Sequence, residues 1–419
     1  MKNRFKIVLK FIQKSILLRC ILALKKRDLL PDFIPILFLG YNYQSLKFEN
    51  IEHYYLTHPQ KLTLLYNKPI TLSYSTPVFD DLTNDKSLMN DVAGFKNYAA
   101  LIDDVEVIGG SNVIILDSIH ALYDTKFNDT KKIFYFSDQG IRYYHKEGLL
   151  VKTIQSKQDI DVAIYLGGNF SWNYYHFLYE VIVKFQKINE LDLNSNIPIL
   201  ADNISLVVPQ YFELLSVFNI NNRKIIALDK GKRYKVKHLY YFSCPNIIPP
   251  DLISASKMQP NDTLFDLKII EYLRSHLLPM ASIKEFPKRI FISRSKASGR
   301  RNFNEEEVFM VFEKYDFKMV FPEDYSLIDQ IALFNTADFI AGGAGAAFAN
   351  LLFCKKSAKI ITFAKKRLLF SGFSTLANYV GAKLLCVTEK DSNSENIKNI
   401  HDSFTIDTTS LNILISEWI

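Results

Sequence analysis

The sequence is poor in cysteine, and its few cysteines show no pairing pattern. Four cysteines occur in 419 residues, far apart and without Cys-x-x-Cys or metal-type spacing. This distribution excludes a disulfide framework and a cysteine-based zinc site, and it favours a reducing compartment. Internal repeats and low-complexity tracts are also absent. With 48% hydrophobic residues, a chain of this length can bury a large core and is expected to form two domains.

An excess of basic charge is lacking outside the N-terminal segment. The chain has 51 Lys and Arg against 44 Asp and Glu, which gives a formal net charge of +7. Residues 1–30 alone hold nine bases and one acid, so the rest of the chain is close to neutral. A groove for DNA or RNA needs basic charge spread over the fold. Nucleic acid is therefore not an expected partner.

The N-terminal segment has the pattern of a basic amphipathic helix. Residues 2–27 contain no Pro or Gly, and lysines recur every four residues from Lys2 to Lys14, opposite an apolar side. Helices of this kind lie on anionic membrane surfaces, whereas Lys14 and Arg19 leave no run of about 20 apolar residues for a span. No signal-peptide cleavage site follows. We expect residues 1–27 to bind a membrane surface, and packing on the protein's own body or on another subunit is the alternative.

The rest of the chain divides into a β-rich start and two regions of alternating strands and helices. From about 40 to 165, short apolar runs and turn signals predict strands with few helices. Strand and helix patterns then alternate, and residues 246–262, with three prolines and little periodicity, interrupt them. The last region is expected to contain a parallel, doubly wound sheet. The predicted domains are residues 1–30, 31–250 and 251–419.

A basic loop follows the first predicted strand of the second half. Arg294, Lys296, Arg300 and Arg301 lie there in a Ser/Gly-rich segment. In open α/β sheets, ligands bind beyond the carboxyl ends of the strands, and arginine binds phosphate through two hydrogen bonds. The loop therefore predicts a diphosphate site, and a solvated basic loop is the alternative. Asn304, which precedes three acidic residues, is predicted to cap the next helix.

A glycine-rich turn joins a predicted strand to a predicted helix between Phe339 and Cys354. Glycines such as Gly343 and Gly345 let a ligand or a strand approach the backbone, and the first N–H groups of the helix can bind an anion. A turn that only packs helix on strand is the alternative. The pattern resembles a dinucleotide fingerprint, but Phe348 replaces its third small residue, which argues against an NAD-dependent oxidoreductase.

A polar stripe with an imidazole and a carboxylate lies on a predicted helix over residues 172–186. Asn173, His176 and Glu180 share one face, so the carboxylate can orient the imidazole, and the pair could take a proton from a hydroxyl nucleophile. A solvated helix face is the alternative. Aromatic residues surround the histidine, and such surroundings suit a sugar-binding cleft. These residues are Trp172, Tyr174, Tyr175 and Phe177.

Three segments, taken together, resemble the family-61 glycosyltransferases, including the bacterial capsular polysaccharide biosynthesis proteins grouped with them. The segments are NYYHFLYE at 173–180, ISRSKASGRRNFNEEEV at 292–308 and AGGAGAAFANLLF at 341–353. They resemble the family's Asn-Tyr-Tyr-His helix, its Ser-Arg segment with Arg-Arg and Asn-Glu-x-Glu, and its Gly-Ala-Gly turn. Ala344 stands where many members have histidine. Backbone N–H groups, and no side chain, are therefore expected to contact phosphate at this point.

The resemblance implies an α/β fold of the GT-B type, in which two Rossmann-like domains face a cleft. Extra β hairpins in the N-terminal half and a basic N-terminal helix are expected in addition. The resemblance also implies an inverting transfer, without a metal or other cofactor, from a nucleotide sugar, with a UDP-sugar as the expected donor. Asp159 and Asp161 match a short Mn²⁺ motif of other glycosyltransferases, but we attribute this match to chance.

The resemblance also assigns roles to individual residues. His176 or Glu180 would be the base that activates the acceptor hydroxyl, and the choice between them is open. The predicted acceptor side consists of Trp172, Asn173 and Tyr175. The predicted nucleotide-sugar site consists of Arg294, Arg300, Arg301, Asn304, Glu305, Gly343, Gly345 and Asn350.

The expected function is a glycosyltransferase that adds one sugar to a cell-surface polysaccharide or a lipid-linked glycan precursor, as in capsule or lipopolysaccharide biosynthesis. Its expected partners are the nucleotide-sugar donor, a glycan or lipid-linked acceptor and, through residues 1–27, the inner face of the cytoplasmic membrane. A homo-oligomer is left open. The alternative is a non-catalytic sugar-nucleotide or glycan-binding subunit of a polysaccharide assembly complex.

Overall fold

The structure is a computed structural model that describes most of the chain. The described residues are 43–80, 87–122, 148–249, 258–296, 302–365, 369–389 and 403–418, with the backbone of 141–145. The predicted N-terminal helix, residues 123–140 of the predicted β-rich region, and Arg300 and Arg301 lie outside them. In this part of the chain, no helix is both long enough and apolar enough to cross a bilayer.

The first half of the described chain forms a large mixed sheet. Its strands are β1 (Tyr43–Glu49), β2 (Leu62–Ser75), β3 (Met89–Ile108), β4 (Ile114–Ile115), β5 (His120–Leu122), β6 (Ile141–His145), β7 (Gly148–Lys152), β8 (Gln155–Tyr165), β9 (Ile199–Asp202), β10 (Ile225–Leu228) and β11 (Arg233–Phe242). Their order among the described residues is β10-β9-β8-β11-β3-β4-β5-β1-β7-β6, with β2 paired to β3. The predicted β-rich start is therefore confirmed.

Four strands of this sheet form a parallel block. β8 pairs in parallel with β9 and β11, and β10 continues the block beside β9. Residues 163–165 at the end of β8 are buried, as expected for a strand covered on both faces. The connection from β8 to β9 contains one irregular helix, Tyr174–Glu190, called the site helix below. Helices Ile204–Val207 and Pro209–Phe218 lie between β9 and β10, and helix Ile51–Thr57 lies between β1 and β2.

The second half forms a parallel sheet, as predicted. Its strands are β12 (Arg289–Ile292), β13 (Lys318–Val320), β14 (Phe339–Gly343), β15 (Lys359–Ala364) and β16 (Lys383–Thr388), in the order β13-β12-β14-β15-β16 within the described residues. Its helices of more than three described residues are Leu267–Leu277, Glu305–Glu313, Leu327–Thr336, the 3₁₀-helix Ala346–Phe353, Gly372–Val380 and Thr408–Trp418. Helix Leu327–Thr336 begins where the Ser326 hydroxyl accepts the Asp329 N–H, and helix Gly372–Val380 ends at Gly381 with φ 79°.

The two halves share a hydrophobic core. One buried cluster contains Phe177 and Phe185 of the site helix together with Ile290 of β12 and Phe348 of helix Ala346–Phe353. Residues at the end of β2 also contact the second half, because the Ser75 N–H donates to the Thr375 hydroxyl at 2.9 Å. The halves are therefore packed against each other through both apolar and polar contacts.

β12 and β14 approach each other closely within the second sheet, and a substitution can test this contact. A Cβ at Gly342 would lie 2.7 Å from the carbonyl oxygen of Ile292 and 2.9 Å from its Cβ. Both neighbours belong to a paired strand and cannot move aside freely. We therefore expect Gly342→Ala to lower the free energy of unfolding by about 1–3 kcal/mol, measured by urea denaturation. Ala227→Ser, at an exposed position of β10, is the control and should leave the urea midpoint unchanged.

Candidate active site

Both sheets contain a point at which the strand order reverses. In the first sheet the chain runs from β8 outward to β9 and β10, whereas β11 lies on the other side of β8. In the second sheet β13 lies on one side of β12 and β14 on the other. Crevices form at the carboxyl ends of strands at such points, and ligands bind there. Residues 166–173 follow β8, and residues 293–296 and 344–345 follow β12 and β14, so the predicted site segments all begin at these ends.

The segment after β8, residues 166–173, is called the β8 turn. Within it Phe170 has φ 55°, a conformation that costs a bulky residue roughly 1–3 kcal/mol. The Asn173 N–H donates to the Phe170 carbonyl at 2.7 Å, and the Lys184 Nζ donates to the Gly167 carbonyl at 2.6 Å. The turn is therefore held in a strained conformation by contacts from the site helix.

A buried carboxylate stabilises the β8 turn from below. Asp202, at the end of β9, is 5% exposed and accepts hydrogen bonds from the Ser171 hydroxyl and the Gly110 N–H. Burial raises the pKa of the Asp202 carboxyl to about 6, although these two hydrogen bonds and the charge of Lys184 act in the opposite direction. Sequence reasoning missed this residue. Its position at the end of a parallel strand was the available signal.

The site helix begins as an α-helix and widens after one turn. Asn173 caps it, because its side-chain oxygen accepts the Tyr175 N–H. Residues Phe177–Val181 form a π-helical turn, in which the Ile182 N–H donates to the Phe177 carbonyl. Such turns are rare and often occur at functional sites. The predicted imidazole–carboxylate pair lies across this turn, with His176 Nδ1 and Glu180 Oε2 2.6 Å apart.

The surroundings of His176 are aromatic, as predicted, but only part of them is open to solvent. The ring of Phe170 lies 5.5 Å from the imidazole and 5.9 Å from the ring of Trp172, whose residue is 44% exposed. Tyr175 is 4% exposed and packs against Phe370 and Phe373. The ring of Tyr175 is part of the core. This burial does not favour the predicted contact between Tyr175 and an acceptor sugar.

Arg294 lies directly beneath the glycine turn, residues 342–345. Its Nη1 donates to the Ala344 carbonyl at 3.2 Å, and a Cβ at Gly343 would lie 2.8 Å from its Cδ. A Cβ at Gly345 would overlap the guanidinium group. Both glycines therefore leave room for the arginine side chain in this position, in addition to any role toward a ligand. Burial lowers the pKa of Arg294, and Glu305 and Glu323 oppose this effect.

Two other predicted nucleotide-site residues hold the protein's own backbone. Glu305 accepts the Arg294 N–H at 2.9 Å and a hydrogen bond from the Ser293 hydroxyl. Asn304 stands at the predicted helix start but does not cap it with its side chain. Its amide instead binds both backbone groups of Ile406, accepting the N–H at 2.9 Å and donating to the carbonyl at 3.0 Å. The side chain of Asn304 thus bonds to a segment more than 100 residues later in the chain and does not cap the helix.

Hydrogen bonds connect the site helix with helix Ala346–Phe353, called the turn helix below. The Tyr174 hydroxyl donates to Asn350 Oδ1 at 2.9 Å, and Asn350 Nδ2 donates to Gln330 Oε1 at 2.9 Å. The Tyr179 hydroxyl donates to the Ala349 carbonyl at 2.8 Å. Asn350 is fully buried with both ends of its amide in use. This position favours a structural role for Asn350 over direct contact with a nucleotide.

These contacts bring the predicted site segments together. His176 lies two residues after Tyr174, Tyr174 is bonded to Asn350, and the turn helix that carries Asn350 begins beside Gly345, which lies against Arg294. In the described part of the chain, no group of three or more His, Cys, Asp and Glu side chains is arranged to hold a metal. Asp161, half of the acidic motif, is exposed on β8 and lies 3.7 Å from the Lys237 ammonium.

Comparison with protein families identifies the same segments. Residues 174–361, somewhat less than half of the chain, match the family described as Glycosyltransferase 61. A search of curated proteins finds no match. The matched range starts on the site helix and ends in β15, so it contains His176, Glu180, Arg294 and the glycine turn. The chain therefore carries a glycosyltransferase family 61 domain, which confirms the predicted resemblance over these residues, and the activity that this family implies is glycosyl transfer.

The hydrogen bond between the two halves can be tested by removing one hydroxyl. Burial raises the pKa of the Tyr174 phenol, which therefore remains a donor at neutral pH. Tyr174→Phe leaves the buried Asn350 Oδ1 without this donor, and we expect a loss of about 1–3 kcal/mol in the free energy of unfolding. Urea denaturation measures the change. Tyr240→Phe is the control, since that hydroxyl has no hydrogen-bond partner among the described residues. Equal midpoints for the two variants would contradict the assigned role.

The raised pKa of Asp202 predicts a dependence of stability on pH. An acid whose pKa is higher in the folded protein binds its proton more tightly there, so protonation of Asp202 stabilises the fold. This stabilisation is fully present below the unfolded pKa of 3.8 and is lost as the pH rises through the folded pKa of about 6. Relative to Asp202→Asn, the free energy of unfolding of the wild type should therefore fall by roughly 2–3 kcal/mol between about pH 4 and 7. The charge of Lys184 acts on this carboxyl, and burial together with the carboxylate raises the pKa of the nearby Tyr165 phenol, which stays neutral.

Urea midpoints of the wild type and Asp202→Asn across this pH range measure the difference. Asp161→Asn makes the same chemical change on the exposed face of β8. It should show a pH dependence parallel to that of the wild type. A constant difference between the wild type and Asp202→Asn at all pH values would contradict the prediction.

Proposed function

Starting from its glycosyltransferase family 61 domain, we propose that the protein transfers a sugar, with inversion and without a metal, from a nucleotide-sugar donor to a hydroxyl group of a glycan. The expected donor is a UDP-sugar. The observation that carries the proposal is the His176–Glu180 pair, which lies on a helix that is hydrogen-bonded to the helix after the glycine turn. One half thus supplies a proton acceptor, and the other supplies groups that bind anions.

The geometry favours His176 as the base and Glu180 as the residue that orients it. An ionised carboxylate can only accept hydrogen bonds, so the 2.6 Å contact requires Nδ1 of the imidazole to donate its proton. The neutral imidazole then has its lone pair on Nε2. In the proposed step Nε2 takes the proton of the acceptor hydroxyl while the hydroxyl oxygen forms a bond to the anomeric carbon.

The same step breaks the bond between the anomeric carbon and the diphosphate oxygen, and attack from the opposite side inverts the configuration. The leaving diphosphate needs positive charge and N–H donors. Arg294 and the N–H groups at the start of the turn helix supply them, and we propose that Arg300 and Arg301 add to this charge. Each charge-assisted hydrogen bond contributes about 1.5–3 kcal/mol. The chemistry of these groups supports transfer without a metal.

The arrangement of the two sheets supports a cleft of the GT-B type. Each sheet presents the carboxyl ends of its strands at a point of reversed order, and the predicted site segments start from these ends. We propose that the acceptor is a cell-surface polysaccharide or a lipid-linked precursor, as in capsule or lipopolysaccharide synthesis. Residues 1–27 would place the protein on the inner face of the cytoplasmic membrane. Their basic, amphipathic sequence supports this placement.

Substitution of the pair tests the proposal. A panel of UDP-sugars is first screened by thermal shift, and hydrolysis or transfer is then measured with the donor that binds. His176→Ala should lower the turnover by a factor on the order of 10²–10⁴ and leave nucleotide binding unchanged. Glu180→Gln should lower it less, because an amide still accepts the Nδ1 proton. His53→Ala, on the exposed side of helix Ile51–Thr57, is the matched control.

Two outcomes would count against the proposal. If the wild type binds a nucleotide sugar and shows neither hydrolysis nor transfer, and if neither substitution changes binding, the protein is a binding subunit. If no UDP-sugar binds or reacts, the donor class is wrong.

A further inference from the structure

The imidazole of His176 has a defined neighbour on two sides. Glu180 bonds to its Nδ1 edge, and the ring of Phe170 lies beside it with centroids 5.5 Å apart and an interplanar angle of 37°. Phe170 occupies this place in a conformation with positive φ that bulky residues rarely adopt. The orientation of the imidazole therefore depends on the contacts that hold Phe170 in that conformation.

The backbone on the C-terminal side of Phe170 is fixed by groups from several elements. The next residue, Ser171, is 2% exposed and donates its hydroxyl to the Asp202 carboxylate at the end of β9. The carbonyl of Trp172 accepts a hydrogen bond of 2.9 Å from the hydroxyl of Tyr211, on helix Pro209–Phe218. These contacts oppose a change of Phe170 to negative φ values, which bulky residues normally adopt.

Asp202 is the centre of this arrangement. Its second carboxylate oxygen accepts the Gly110 N–H, so one side chain connects the end of β9 to the turn after β3 and to the β8 turn. A buried carboxylate is expensive unless it is hydrogen-bonded, and here both oxygens are bonded. A buried carboxylate adds little to stability relative to a well-packed apolar side chain, so its hydrogen bonds to two loops point to a role in fixing their conformation.

We propose that Asp202 and Ser171 are positioning residues for His176, because they keep the β8 turn in the conformation that places Phe170 against the imidazole. This inference rests on the proposed role of His176 as the base. Without the bond between Ser171 and Asp202, the turn relaxes, the ring of Phe170 moves away, and the imidazole turns relative to the acceptor hydroxyl. The groups that bind the diphosphate lie after β12 and β14 and are unaffected. The effect should therefore fall on kcat and not on the KM for the donor.

Single substitutions give the first test. Ser171→Ala and Asp202→Ala should each lower kcat on the order of tenfold to a hundredfold, with the donor KM unchanged. Asp202→Asn should keep most of the rate, because its amide oxygen still accepts the Gly110 N–H and its NH₂ group donates to Ser171. Ser275→Ala, an exposed serine on helix Leu267–Leu277, is the matched control for the loss of a hydroxyl. An unchanged kcat in Ser171→Ala, measured well below its unfolding temperature, would overturn the proposal.

A double-mutant cycle separates positioning from a general loss of stability. Phe170→Gly removes the ring, and glycine adopts the positive φ without strain. If Ser171 acts through Phe170, adding Ser171→Ala to Phe170→Gly should lower kcat no further. If the two losses multiply, Ser171 acts independently and the proposal fails.

A measurement without turnover keeps the proposal testable if no transfer is found. The chain has eight histidines, and selective ¹³C labelling of the imidazole carbons gives one signal for each, with His176 assigned from His176→Gln. Ser171→Ala and Phe170→Gly should shift the His176 signal, whereas Asp202→Asn and Ser275→Ala should not. An unmoved signal in Ser171→Ala would refute the positioning role. A shifted signal without transfer by the wild type would instead refute the proposed function.

Discussion

Tyr174 and Asn350 meet where the site helix crosses the turn helix, and their hydrogen bond fixes the register of the two halves. An apolar contact between helices can slide by a fraction of a turn at little cost. Helices joined by a fully buried amide cannot slide in this way, because each broken hydrogen bond leaves a polar atom without water or another partner. Asn350 is fully buried and also bonds to Gln330, so the register extends from the site helix to helix Leu327–Thr336. The distance between the proposed base on one half and the proposed diphosphate site on the other depends on this register.

The π-helical turn at Phe177–Val181 complements that constraint. A wider turn holds one more residue than an α-helical turn, so the side chains after it point in a different direction from those expected for a regular helix. Here Tyr179 still reaches the turn helix, and Glu180 still reaches the imidazole. The irregular turn therefore lets one short segment bind the neighbouring half and orient the imidazole of His176, the proposed base, at the same time.

The sequence predicted the elements of the second half well, because apolar runs such as those of β12, β14 and β15 are buried on both faces and are bounded by clear helix signals. It also predicted the His176–Glu180 pair, since residues four apart on a helix face each other. It did not predict the roles of Asn304 and Asn350, because their partners Ile406 and Tyr174 are distant in the chain. The burial of Tyr175 likewise depends on Phe370 and Phe373. Nor could it predict the positive φ of Phe170, because the next residues, Ser171 and Trp172, are bonded to Asp202 and Tyr211, which lie far along the chain.

β16 is the last strand of the second sheet, and residues Val78–Asp80 of the first half bind its outer side. The Cys386 N–H donates to the Val78 carbonyl at 2.8 Å, and the Asp80 N–H donates to the Cys386 carbonyl at 3.1 Å. A truncated chain that begins after the first half would leave these groups of β16 open to pairing with another molecule. Expression of the second half alone would therefore expose an edge strand that can pair with another molecule. Cutting this protein at its apparent sequence boundary would remove the segment Val78–Asp80 that covers this edge.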